Sequence, residues 1–183
     1  AISARADLFE GRAWVLCPHE GSDAAATDLV ARLARATGAA VTTLSAADHD
    51  AAVAAVSHVP QIAASLVAAR LEHLSEQAIG LAGQGVRDVT RIAASDPRMW
   101  IDILSANPGP VADLLSDLAG DLDETVRALR ALESADEDKR QDGVLGIRDV
   151  LRRGNAGQVR VPGKHGTAAR VYEVVAVLID DQP

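Results

Sequence analysis

The spacing of apolar residues changes character along the chain. The first eleven residues carry no strong pattern and close at Gly11. Arg12 to Cys17 then reads as a short strand, with Trp14, Val15 and Leu16 in an apolar run ended by Pro18. Leu29, Val30 and Leu33 recur at helical spacing. Ser22 can cap that helix by accepting a first-turn amide hydrogen, and Gly38 supplies its stop. Ala40 to Leu44, rich in Val and Thr, is a second strand candidate. Strand, helix and strand make a βαβ-like unit, which cannot bury a sheet alone and reads as the edge of something larger.

From Ser45 the period becomes helical. Ser45 followed by Asp48 resembles a capping box, with Asp in the place of the usual Glu or Gln. A long helical pattern through Val53, Val56, Ile62, Leu66, Leu71 and Leu74 runs to about Gly80. Pro60 lies inside it and is expected to kink or break the helix, because it removes a backbone donor. Gly80, Gly83 and Gly85 precede a short helix with Val89 and Ile92. Asp96-Pro97 starts another, with Trp100, Ile103 and Leu104 on one face.

Asn107-Pro108-Gly109-Pro110 reads as a turn. A helix from about Val111 to Ser134 follows, with Leu114, Leu118, Leu122, Val126, Leu129 and Leu132 on one face. Its other face carries Asp113, Asp117, Asp121, Asp123 and Glu124, an acidic run that reads as a solvated surface rather than a metal site. A further helix is expected between about Asp136 and Arg153. After Gly154 come Arg160, Lys164, His165 and Arg170, and then a β-like run from Val171 to Ile179.

The pattern therefore predicts a mainly α protein with a small βαβ-like start, and composition supports this. Hydrophobic residues make up 48% of the 183 and aromatics only 2%, so the core must come from Ala, Leu, Val and Ile. A formal charge of −8 argues against a general nucleic-acid binder, which needs a basic face. A single Cys17 excludes an internal disulfide and fits a reducing cytoplasm. Apolar stretches such as Ile62 to Ala69 are too short to span a bilayer, and Arg5, Asp7 and Glu10 interrupt any signal-like run. No membrane partner is expected.

There is no G-x-G-x-x-G after a strand, no phosphate-binding G-x-x-x-x-G-K-[ST] and no G-x-S-x-G. No Cys/His cluster has zinc spacing, and His49, Asp50 and His58 lack an evident fourth ligand. Two clusters hold more interest. His58 stands two residues before Pro60, where it is either a buried histidine satisfied by backbone or part of a cavity opened by a kink. Asp88 and Arg91 are spaced to pair on one helix face. The plainer reading is that local ion pair; the functional one is an arginine fork ready for a carboxylate.

The order Glu10-Gly11-Arg12-x-Trp14-x-x-x-Pro18, Asp48-His49-Asp50, Ser57-His58-Val59-Pro60 and Asp88-Val89-Thr90-Arg91-Ile92-Ala93-x-Ser95-Asp96-Pro97-x-x-Trp100 resembles the prephenate dehydrogenase family. Each motif alone is weak, but four in this order over about ninety residues are specific, and the likeness extends to about Ala135. It implies a two-part enzyme: a Rossmann domain holding NAD or NADP, and a helical domain that dimerises, with substrate between them. The implied reaction is oxidative decarboxylation of prephenate to 4-hydroxyphenylpyruvate; some relatives take arogenate. By this resemblance His58 is a polar contact at the substrate pocket and Arg91 binds a substrate carboxylate. Asp88 and Trp100 match further pocket or support positions, with Asp88 holding Arg91.

The resemblance further implies residues 1–44 as a remnant of the nucleotide-binding domain and 45–154 as the helical dimerisation and substrate domain. Residues 155–183 become a linker and strand leading towards an ACT regulatory domain. The family's HP-x-x-G histidine and glycine-rich loop would lie upstream of residue 1, so no catalytic or cofactor-binding residue is expected here. The chain is expected to form a homodimer and to be inactive alone. Two other readings stand beside this one: a non-catalytic helical dimerisation or regulatory module, and another two-domain hydroxyacid-type dehydrogenase.

Overall fold

The structure, a computed structural model, describes residues 5–162. The expected strand from Val171 to Ile179 lies outside those residues. Two compact units divide the described residues, one formed by Ala13–Asp123 and the other by the described residues before and after it.

The first unit opens with β1 (Ala13–Leu16), α1 (Ala24–Ala36) and β2 (Ala40–Thr43). The strands pair in parallel, Ala13 opposite Ala40 and Leu16 opposite Thr43. The helix starts one residue later than Ser22 would place it, so its cap is Asp23, which accepts from the Ala26 amide at 2.8 Å. Ser22 instead accepts from the His19 amide in the preceding turn. At the far end Gly38 has φ of +82°, and the Gly38 and Ala39 amides donate to the Arg35 and Ala34 carbonyls. This left-handed glycine closes the helix as expected. Ala31 and Ala34 are buried, while Leu29 and Leu33 remain exposed.

The helical part begins with α2 (Ala46–Val53), whose cap Ser45 accepts from the Asp48 amide at 3.0 Å and bonds its carboxylate at 2.7 Å. Five residues of π-helix, Ala54–His58, lead directly into α3 (Val59–Ala69). Of the kink or break expected at Pro60, the break does not occur. The backbone stays helical on both sides, and the Val59 amide donates to the Ala54 carbonyl, one residue further back than in an α-helix. A proline has no amide hydrogen and crowds the preceding turn, and a wider turn absorbs both demands. The resulting run, Ala46–Ala69, joins those separate apolar stretches into one helix that by length and composition alone is long and apolar enough to cross a membrane.

The helical pattern also stops earlier than its periodicity implied. Ser75 captures the Ala78 amide and starts a separate α4 (Glu76–Ile79), leaving Leu71 and Leu74 in the intervening turn. Next come α5 (Gln84–Thr90), a 3-10 turn over Arg91–Ala94, and α6 (Pro97–Ala106) capped by Asp96. The expected Asn-Pro-Gly-Pro turn shrinks to Asn107 alone, since α7 runs from Pro108 to Ala131. Prolines fit the first helical turn, and Pro108 keeps Asn107 out of helical geometry, at φ −138° and ψ 48°. Ala54, Ala64 and Val111 are buried here, and among the described residues no large side chain is fully buried.

In the second unit α8 (Glu137–Val159) starts at Asp136, which accepts from the Asp138 and Lys139 amides. It continues past Gly154, where a boundary was expected. A Cβ added at Gly143 would lie 2.7 Å from the Ala128 carbonyl oxygen and 3.1 Å from the Leu132 nitrogen, so α8 meets the end of α7 backbone to backbone. Gly143→Ala should therefore destabilise the protein by about 1–3 kcal/mol in urea denaturation, since backbone cannot yield cheaply. Gly154→Ala, with nothing within 4 Å, should instead stabilise α8 by about 0.5–1 kcal/mol.

Candidate functional site

The π turn brings Ala54, His58, Gln61 and Ala64 onto one buried stripe. Two of these four are polar, which is unusual for a helix face turned inward. His58 is only 7% exposed. Its ring meets that of Trp100 edge to face, with centroids 6.2 Å apart and planes at 82°. Its Nδ1 lies 3.4 Å from Nδ2 of Asn107, which is equally buried and donates to the Asp50 carbonyl at 2.8 Å. Residues far apart in sequence, from the end of α2, the π turn and α6, are thus tied together at one point.

Beside this cluster lies a cleft of about 350 Å³ lined by apolar residues of α3 and α6, together with Gln61, Ser65 and Ser95. Trp100 is shared between the histidine contact and the cleft wall. Its Nε1 is buried without a hydrogen-bond partner. An unmet indole donor costs free energy, so a ligand or another chain bringing an acceptor would be favoured there.

The structure brings two of the four expected site residues together, His58 and Trp100. Asp88 and Arg91 are exposed, on α5 and at the start of the 3-10 turn. The change of helix type between them alters the spacing that would pair them. Asp88 accepts from Gln84 Nε2 at 2.8 Å, and no ion pair between Asp88 and Arg91 is found among the described residues. The expected local pair is therefore absent. Asn107 was read as a turn residue and missed; its only sequence signal was an amide side chain ahead of a proline. His49 Nδ1 pairs with Asp50 at 3.1 Å, and no group of three metal-ligating side chains occurs among the described residues.

The β1–α1–β2 unit does not fit a dinucleotide. The turn after β1, Cys17-Pro18-His19-Glu20-Gly21-Ser22, holds one glycine. The α1 terminus, where a pyrophosphate would bind, is occupied by the Asp23 carboxylate.

Residues 45–143, which contain this whole cluster, match the family model described as the prephenate dehydrogenase dimerization domain, and the chain belongs to that family. It is 37% identical, over its full length, to a probable prephenate dehydrogenase, NovF, of Streptomyces niveus. It is 35% identical over 67% of its length to a prephenate dehydrogenase of Bacillus subtilis. Among solved structures it is similar to prephenate dehydrogenase from Aquifex aeolicus in complex with hydroxyphenyl propionate and NAD+, at 27% identity over 82% of this chain and a TM-score of 0.67. The chain spans 51% of the Streptomyces protein, 34% of the Bacillus protein and 52% of the Aquifex chain.

Asp96, which caps the helix carrying Trp100, has its carboxyl held below the ordinary value of 3.8, first by the Arg98 amide and then by its guanidinium. A depressed carboxyl stabilises the fold fully above its unfolded value and loses that contribution as pH falls through the depressed one. Acid titration of Trp100 emission, with Trp14 replaced by Phe, should show α6 loosening below about pH 4. Asp96→Asn, still a good cap, should weaken that dependence.

Proposed function

We propose that this chain is the helical dimerisation and substrate-binding part of a prephenate dehydrogenase that oxidatively decarboxylates prephenate to 4-hydroxyphenylpyruvate using NAD or NADP. The observation that carries the reading is the buried His58–Asn107–Trp100 cluster inside the matched domain. The family membership and the NAD+ named with the Aquifex relative support it. NAD or NADP, when bound, accepts the hydride that leaves the ring carbon bearing the hydroxyl. Its site falls to a nucleotide-binding domain of the whole protein, with residues 1–44 as that domain's remnant. The 183 residues alone would then not turn over substrate.

In this reading His58 is a polar contact for substrate, and Arg91 binds one of its two carboxylates. Arg91 is exposed and makes no ion pair among the described residues that would have to be broken first. A guanidinium grips a carboxylate with two parallel hydrogen bonds and so orients it as well as attracting it. Trp100 forms a wall of the pocket, and Asp88, accepting from Gln84, braces the helix α5 that leads to Arg91. The run Ala46–Ala69 serves as a domain helix, because its buried stripe carries His58 and Gln61. Two copies pairing through their helical faces would cover exposed apolar residues such as Leu118, Leu122, Leu129 and Leu151.

The test is turnover by the full-length protein, followed by NADH or NADPH formation with prephenate, arogenate and short hydroxyacids side by side. Activity with prephenate supports the proposal; preference for arogenate or a hydroxyacid, or no turnover, overturns it. In the active protein Arg91→Ala should raise KM for prephenate by about 10- to 100-fold. Its effect on stability should stay within about 0.5 kcal/mol.

A further inference from the structure

We infer that Asn107 is a positioning residue: it holds His58 in the tautomer with the proton on Nε2, so that the histidine offers a hydrogen-bond donor to a carboxylate or carbonyl oxygen. As a role in catalysis this rests on the function proposed above; as a statement about the fold it stands alone. The argument starts at the Asp50 carbonyl. That oxygen can only accept, so the atom of Asn107 lying 2.8 Å away must be the amide nitrogen. The same nitrogen is 3.4 Å from His58 Nδ1. Its second hydrogen can only be donated, so Nδ1 must be the acceptor and the ring proton sits on Nε2.

Backbone geometry keeps this amide in place. Asn107 lies between α6 and Pro108, held out of helical conformation, with its own amide donating to the Leu104 carbonyl at 3.2 Å. Trp100 fixes the ring from another side. The charged groups on the surrounding elements have other partners or stand in solvent. Asp48 bonds Ser45, and the Asp50 carboxylate pairs with His49. Arg98 pairs with Asp96, Asp102 is exposed, and Val59–Ala69 contains no charged residue. A neutral amide therefore sets the tautomer, as second partners do for functional histidines in general.

The test is the ¹⁵N spectrum of the imidazoles in full-length protein at about pH 8.5, above the ordinary histidine range, with His58→Gln identifying the signal. The wild type should show His58 with Nε2 protonated. Asn107→Asp replaces the donor with an acceptor of the same shape and should switch the proton to Nδ1. In prephenate turnover Asn107→Asp should raise KM by about tenfold or more, and Asn107→His, which can restore a donor, should recover part of that loss. A proton on Nδ1 in the wild type overturns the inference, as does a folded Asn107→Asp protein that keeps Nε2 protonated. A wild type with the expected tautomer but no turnover sinks the proposed function and leaves the assignment of the proton intact.

Discussion

Pro60 has no amide hydrogen, and the architecture around the candidate site follows from how the chain meets that lack. A helix that broke there would have turned α3 away from α2. Instead one extra residue enters the turn, the Val59 amide reaches back to Ala54, and the run continues to Ala69. That turn puts His58 on the buried stripe with Ala54, Gln61 and Ala64. Wide turns of this kind are costly in hydrogen-bond geometry and tend to persist where a side chain must be aimed.

The second constraint is the single residue between α6 and α7. Pro108 forbids Asn107 a helical conformation, and the side chain so released closes the link from the Asp50 carbonyl to the histidine ring. Asp96 at the other end of α6 sets where the helix starts, and hence which of its residues, Trp100, reaches His58. Two local backbone rules, a cap and a proline, thus bring Trp100 and Asn107 to a histidine from a distant part of the sequence.

Much of this was legible in the residues alone. The βαβ start, the helical remainder, Gly38 as a stop, Ser45, Asp96 and the start of α8 all follow from short-range rules that depend on a few neighbours. Three of the four motifs that carried the family resemblance lie within the matched domain, and the first, Glu10 to Pro18, precedes it. What failed was what depends on competition between such rules. Leu71 and Leu74 kept a helical period while Ser75 was already starting another helix. Asp88 and Arg91 had pairing distance in a uniform helix, but the geometry changes at Arg91 and Gln84 takes the carboxylate. Asn107 was illegible because its partners lie 57 and 49 residues away.

The absence of any large, fully buried side chain among the described residues has a thermodynamic consequence. Burial of big apolar groups supplies most of a fold's favourable free energy and most of its heat-capacity change on unfolding. Here residues of that size, Leu118, Leu122, Leu129 and Leu151 among them, lie at the surface of the single chain. In the proposed homodimer their burial belongs to association rather than to folding. The two become one equilibrium, and the melting temperature then depends on how much protein is in the tube.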